Sequence, residues 1–139
     1  MKIRLLIVSL AVPLTLFAQQ PPSPEQDPIG RNLIPPELVM SQAEQLGLSD
    51  KQRASIKGEI QKMQTKFLDA QWDLQEQTAK MTQLLQQSPL DEARVLEQAD
   101  RIMGLEREIK RAHLAMLVRI KNALTAEQIA KIEAARRGK

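Results

Sequence analysis

Residues 56–84 read IKGEIQKMQTKFLDAQWDLQEQTAKMTQL. Ile56, Ile60, Met63, Phe67, Ala70, Leu74, Gln77, Met81 and Leu84 recur at alternating steps of four and three, which draws one stripe along a long α-helix, and only Gln77 in it is polar. A second stretch repeats the spacing with Val95, Ala99, Ile102, Glu106, Ile109, His113, Met116 and Ile120, widened by Leu96, Met103 and Leu117. Between the two stretches the connection at Gln87 and Ser88 is so short that the helices must fold back on each other as an antiparallel hairpin. At 1.5 Å per residue its arms are roughly 50 Å long. A rod of that shape buries one stripe and leaves its other faces to partners, most simply a second copy of the chain.

Capping chemistry marks the helix starts around this hairpin. In Ser49-Asp50-Lys51-Gln52 and Thr125-Ala126-Glu127-Gln128 a hydroxyl can accept from the N–H three residues on, while the glutamine reaches back. Ser88-Pro89-Leu90-Asp91 reads as a third start, with proline where its missing N–H costs nothing and Asp91 near the positive end of the helix dipole. The spacing predicts helices over 36–46, 50–87, 89–122 and 125–136, with Gly47 closing the first. Residues 37–137 are rich in helix formers and offer no strand, so the expected fold is all-α, with four helices.

Upstream, Lys2 and Arg4 precede an apolar run from Leu5 to Phe17 that ends at Ala18, the pattern of a cleavable secretory signal over 1–18. Residues 19–36 hold six of the eight prolines and read as a flexible leader, which leaves 37–139 as the helical domain. Export from a bacterium with this signal places the protein in the periplasm. Outside the signal the chain carries eighteen basic and seventeen acidic residues; with no Tyr, two Phe and one Trp it lacks the charge and the stacking rings of a nucleic-acid binder. Charge is nonetheless unevenly placed. Residues 49–66 and 105–125 each carry five basic and two acidic side chains, whereas 67–104 carries three basic and seven acidic. An antiparallel pair of hairpins sets each basic end against an acidic turn.

Taken with the residue before each, the caps read Leu48-Ser49-Asp50-Lys51-Gln52 and Leu124-Thr125-Ala126-Glu127-Gln128. This pair resembles the twin Leu-Thr-x-x-Gln motifs of the Spy/CpxP family of periplasmic proteins, a group with the metal-linked ZraP and CnrX types among its relatives. The first copy departs from the pattern in having Ser for Thr. The resemblance covers about 37–137 and implies a cradle-shaped antiparallel homodimer of hairpins that holds unfolding envelope proteins without ATP, or that restrains a membrane sensor protein of the envelope stress response. For Leu48, Ser49, Gln52, Leu124, Thr125 and Gln128 themselves, capping and stapling of helices is the plainest role.

Catalytic chemistry finds little to work with. The chain has no Cys or Tyr, a single His and no glycine-rich phosphate loop, so it does not read as an enzyme. Asp91 and Glu92 are adjacent and point different ways on a helix. No cofactor is expected. For a divalent metal His113 is the weak candidate: it lies on the predicted stripe, Met63 falls opposite if the turn is at 88, and the histidine pair one turn apart that suits such a site is missing. Leu68 and Trp72 stand four apart on one helix face, off the main stripe, with Gly104 expected opposite Trp72 to make room for the indole. With Lys62, Lys66, Arg107, Lys110 and Arg111 nearby, they form a candidate client-binding surface, cationic at long range and apolar on contact.

Overall fold

The computed structural model describes residues 29–137, and the signal at 1–18 and the first ten residues of the leader lie outside it. A turn of 3-10 helix at Gly30–Asn32 is followed by α1 (Pro36–Ser41), α2 (Asp50–Leu85), α3 (Glu92–Ala123) and α4 (Ala126–Arg137). Among the described residues the fold is all-helical, and α2 packs along α3 as the long hairpin.

Both capping boxes form. The Gln52 backbone N–H donates to Ser49 Oγ at 3.2 Å and the Ser49 N–H donates to Gln52 Oε1 at 3.0 Å; Thr125 and Gln128 repeat the exchange at 3.2 and 2.9 Å. The two boxes also meet. Gln52 Nε2 donates to Gln128 Oε1 at 2.8 Å, and Gln128 Nε2 donates back to Gln52 Oε1 at 3.3 Å. The second proton of each amide goes to a backbone carbonyl, Ala123 O for Gln52 and Leu46 O for Gln128. Every donor and acceptor site of the two side-chain amides is therefore filled, which lets Gln128 lie buried without a desolvation penalty.

This clasp sits beside the hydrophobic core, which gathers at the open end of the hairpin. Ile56 of α2, Met116 and Ile120 of α3, Leu124 and Ile132 enclose one side, and Ile34, Val39, Leu46 and Leu48 close the other. The chain enters α2 through a turn that needs a glycine: Gly47 has φ of 59°, its N–H donates to Glu44 O, and the Leu48 N–H donates to Ala43 O. That pair of bonds is a Schellman closure, and it turns both Leu46 and Leu48 into the core. Farther along, the hairpin is only two helices thick. Ala70 and Gln98 are the buried side chains of its outer part, and Gln98 Nε2 donates to both the Gln77 carbonyl and Gln77 Oε1, at 2.8 and 3.0 Å.

Several sequence expectations are corrected. The first helix, expected over 36–46, ends at Ser41 and continues as turns to Gly47. α3 starts at Glu92, not at 89: Asp91 is its cap, accepting from the Arg94 N–H at 3.1 Å, and Ser88-Pro89-Leu90 spends itself on the reversal between the arms. The stripe of α3 keeps Val95, Ala99, Ile102, Ile109, Met116 and Ile120, adds Gln98, and takes Leu105 and Ala112 in place of Glu106 and His113. That one-residue shift leaves Glu106 and His113 in water. On α2, Phe67 is 45% exposed. Nor does Gly104 receive the Trp72 indole, because Trp72 is turned away from α3 and 65% exposed, while a Cβ at Gly104 would meet nothing within 4 Å.

The leader predicted over 19–36 is not free along its whole length. Ile34 is 1% exposed within the core, Lys121 Nζ donates to Asn32 O at 2.7 Å, and Arg136 donates to Arg31 O at 3.1 Å. Proline-rich composition masked an anchor that straps α4 to the end of α3. Truncating it, Ile34→Ala, is expected to destabilise the fold by about 2–4 kcal/mol in denaturant unfolding, a core-sized loss that a free leader residue would not give.

Candidate functional site

Between α2 and α3, just outward of the core, the hairpin opens into a groove of about 280 Å³. It exists because α3 places small side chains, Ala112 and Ala115, opposite the longer Met63 and Lys66 of α2. Its floor is apolar, with Met116 6% exposed at the bottom, and its rim carries Lys62, Lys66, Arg111 and Arg119 against Glu59 and Glu108. Glu59 is the organised member. Its Oε1 accepts from Lys62 Nζ at 2.8 Å and its Oε2 from Arg119 Nη1 at 3.0 Å. Those hydrogen bonds, from Lys62 first and then Arg119, hold its carboxyl below the usual glutamate range. Lys66 and Arg111 form no ion pair or side-chain hydrogen bond among the described residues, so the rim keeps two uncommitted cations.

Around the outer side of α3 a shallower depression is lined by Met103, Leu114, Arg107, Lys110, Arg111 and Glu106. Arg111 borders both. The structure thus brings Lys62, Lys66 and Arg111 together in the groove and continues them into Arg107 and Lys110, but it separates Leu68 and Trp72 from all five. Those two line a hollow of α2 alone, with Gln71, Leu74 and Gln75. Sequence reading passed over Glu59, Arg119, Ala112 and Ala115. Glu59 and Lys62 carry a local signal, being three apart on a helix, but the approach of Arg119 depends on the register of the hairpin. The motif residues face inward: Leu48 and Leu124 are in the core, and Gln52 and Gln128 are spent on each other.

These features define a class: a slender helical hairpin with an open, cation-rimmed groove. Residues 3–131 match a protein-family model described as heavy-metal resistance, and the chain belongs to that family. The family lies within the Spy/CpxP/ZraP-like helical group. No curated protein and no solved structure matches the chain.

A heavy metal is implied by that family, and the described side chains do not fit one. The whole sequence has no Cys and one His. Among the described residues no group of three His, Cys, Asp or Glu side chains is placed to hold an ion. His113 is exposed and does not line the groove that holds Met63, so the two candidate soft donors are apart. Also among the described residues, no helix is long and apolar enough to cross a membrane.

The Glu59 pairings carry a pH signature. A carboxyl held below its ordinary value in the fold adds stability above the unfolded pKa and loses it as pH falls through the folded one. Because Lys62 and Arg119 are well exposed, the contribution is at most about 1 kcal/mol. Thermal unfolding of the wild type and Glu59→Gln should therefore differ by a constant amount above the ordinary glutamate range, and the difference should vanish only once pH has fallen below that range and through the lowered folded value.

Proposed function

We propose that the protein is an ATP-independent holdase of the periplasm, acting as a homodimer that captures unfolding envelope proteins and limits their aggregation. The observation that carries this reading is the groove between α2 and α3, apolar at its floor and rimmed by Lys62, Lys66, Arg111 and Arg119. Such a surface attracts acidic stretches of a chain from a distance and then offers apolar contact, without the enclosed fit that a small ligand requires. Uncommitted cations at Lys66 and Arg111 extend over Arg107 and Lys110 toward the exposed Met103 and Leu114. Composition supports a reading of binding without catalysis: no thiol, no tyrosine, and a single histidine.

Membership of the heavy-metal resistance family favours a second reading, a periplasmic regulator that docks on a membrane signalling protein in response to metal or stress. In that reading the protein supplies the docking surface, and metal donors would have to come from outside this chain.

Light scattering of an unrelated protein aggregating after dilution from denaturant separates the two. Suppression is expected at near-stoichiometric amounts of the mature chain. It should weaken several-fold in Lys66→Glu/Arg111→Glu, and again when salt rises from about 0.01 M to about 1 M, which shortens the screening length from about 30 to about 3 Å. No suppression at several-fold excess would discard the holdase and leave the regulator.

A further inference from the structure

The outward faces of the two long helices differ in kind. Stepping four and three along α2 from Ala54 to Gln86, on the side turned away from α3, ten positions pass without a single charged residue. On α3 the line turned away from α2 runs through Met103, Arg107, Lys110, Leu114, Val118 and Lys121, again at steps of three and four, and mixes apolar with basic side chains over about 27 Å. Its apolar members are exposed, Met103 by 55%, Leu114 by 46% and Val118 by 42%. No carboxylate falls on it between Met103 and Lys121; Asp100 stands just before its start and Glu106 to one side.

Ion pairing sets this line apart from the rest of α3. Arg101 and Arg119, which lie off it, are held by Glu97 at 2.6 Å and Glu59 at 3.0 Å. Arg107 and Lys110, which lie on it, form no ion pair with a described carboxylate, not even Lys110 with Glu106 one turn before it. Lys121 Nζ donates to the Asn32 carbonyl at 2.7 Å, a neutral acceptor that leaves its charge uncompensated. Arg136, donating to Arg31 O at 3.1 Å, brings two further cations to that end of the line.

We propose that this face of α3 is a membrane-contact surface, on which the helix lies lengthwise against a phospholipid leaflet carrying anionic headgroups. It goes beyond the capture of clients: the two surfaces share Arg107, Lys110, Met103 and Leu114, but contact with lipid does not depend on a client being bound. Charge complementarity selects the sign of the partner, and shape selects its form. The line is a ridge on one helix with only a shallow depression beside it, and it lacks the second wall against which a peptide docks. A flat leaflet meets such a ridge along its whole length. Arg107, Lys110 and Lys121 have stems long enough to keep their charges at the level of the phosphates while Met103, Leu114 and Val118 enter the boundary with the acyl chains. Three partly exposed apolar side chains are too few to hold the protein on neutral lipid, so the contact needs the anionic headgroups and weakens with salt.

The test is flotation of the mature chain with vesicles of equal parts phosphatidylglycerol and phosphatidylcholine, against vesicles of phosphatidylcholine alone. Binding is expected to the anionic vesicles only, and is expected to disappear as salt rises to about 1 M. Arg107→Glu/Lys110→Glu should weaken it by at least about tenfold, whereas Lys51→Glu/Lys57→Glu, an equal change of net charge on α2, should weaken it far less. Fluorescence reads the placement, because Trp72 is the single tryptophan and lies on α2. In a Leu114→Trp/Trp72→Phe variant the emission should move to shorter wavelength when anionic vesicles are added, while that of the native Trp72 should not respond; circular dichroism establishes that each variant keeps its helices. Equal losses from the two charge reversals, or a response from Trp72 and none from the Leu114→Trp variant, would overturn the assignment to this face. An emission of that variant that follows protein concentration and ignores lipid would give the face to a second copy instead. No binding to anionic vesicles at low salt would overturn membrane contact outright and leave the holdase reading, which light scattering tests, untouched.

Discussion

The reciprocal amide pair of Gln52 and Gln128 is the contact on which the rest of the molecule depends. Each glutamine first completes the cap of its own helix, and the same oxygen that accepts from the cap N–H then accepts from the other glutamine. Two local devices thereby become one tertiary joint. Through Ala123 O and Leu46 O the joint also fixes the end of α3 and the closure before α2, so four chain segments meet at one polar knot. Such a knot specifies geometry more sharply than apolar packing does, because half of it is worse than none: a single unpaired amide left in that environment costs about 1–3 kcal/mol.

The location of this joint explains how the remaining surface is distributed. With α4, α1 and the Ile34 strap all gathered at the open end, no other described element covers the outer part of the hairpin. Leu68, Trp72, Leu85, Leu96 and Met103 accordingly stand more than half exposed there. Structure sorts the candidate client-binding surface into two regions that a linear reading merged. One is the cation-rimmed groove between the helices; the other is the uncharged outer face of α2.

Much of this was legible in the sequence because it is governed by short-range rules. The four-three repeat fixed α2 almost end to end, from Ile56 to Leu84, and the Ser49–Gln52 and Thr125–Gln128 spacings marked the starts of α2 and α4. Failures occurred where the decision was made by tertiary contacts. Val95, Ala99, Ile102, Ile109 and Met116 could be read, but whether the intervening positions were Glu106 and His113 or Leu105 and Ala112 depends on which side of α3 faces α2; turning Leu105 and Ala112 inward spares a carboxylate and an imidazole from desolvation. Ile34 was lost among prolines, since composition carries no information on what a segment packs against. The link from Gln52 to Gln128 spans 76 residues, and no local pattern encodes it.

Family membership sets a context of heavy-metal resistance, and among the described residues no group of three His, Cys, Asp or Glu side chains is placed to hold an ion. Whatever the partner, its surface is held in place by the clasp, so a double-mutant cycle on Gln52 and Gln128 tests the account most directly. Denaturant unfolding of wild type, Gln52→Ala, Gln128→Ala and the double variant should give a coupling energy of about 1–2 kcal/mol, each single change already removing most of what the double one removes. Additivity within about 0.5 kcal/mol would mean that the two glutamines cap their helices independently, and that the hairpin is closed by its core alone.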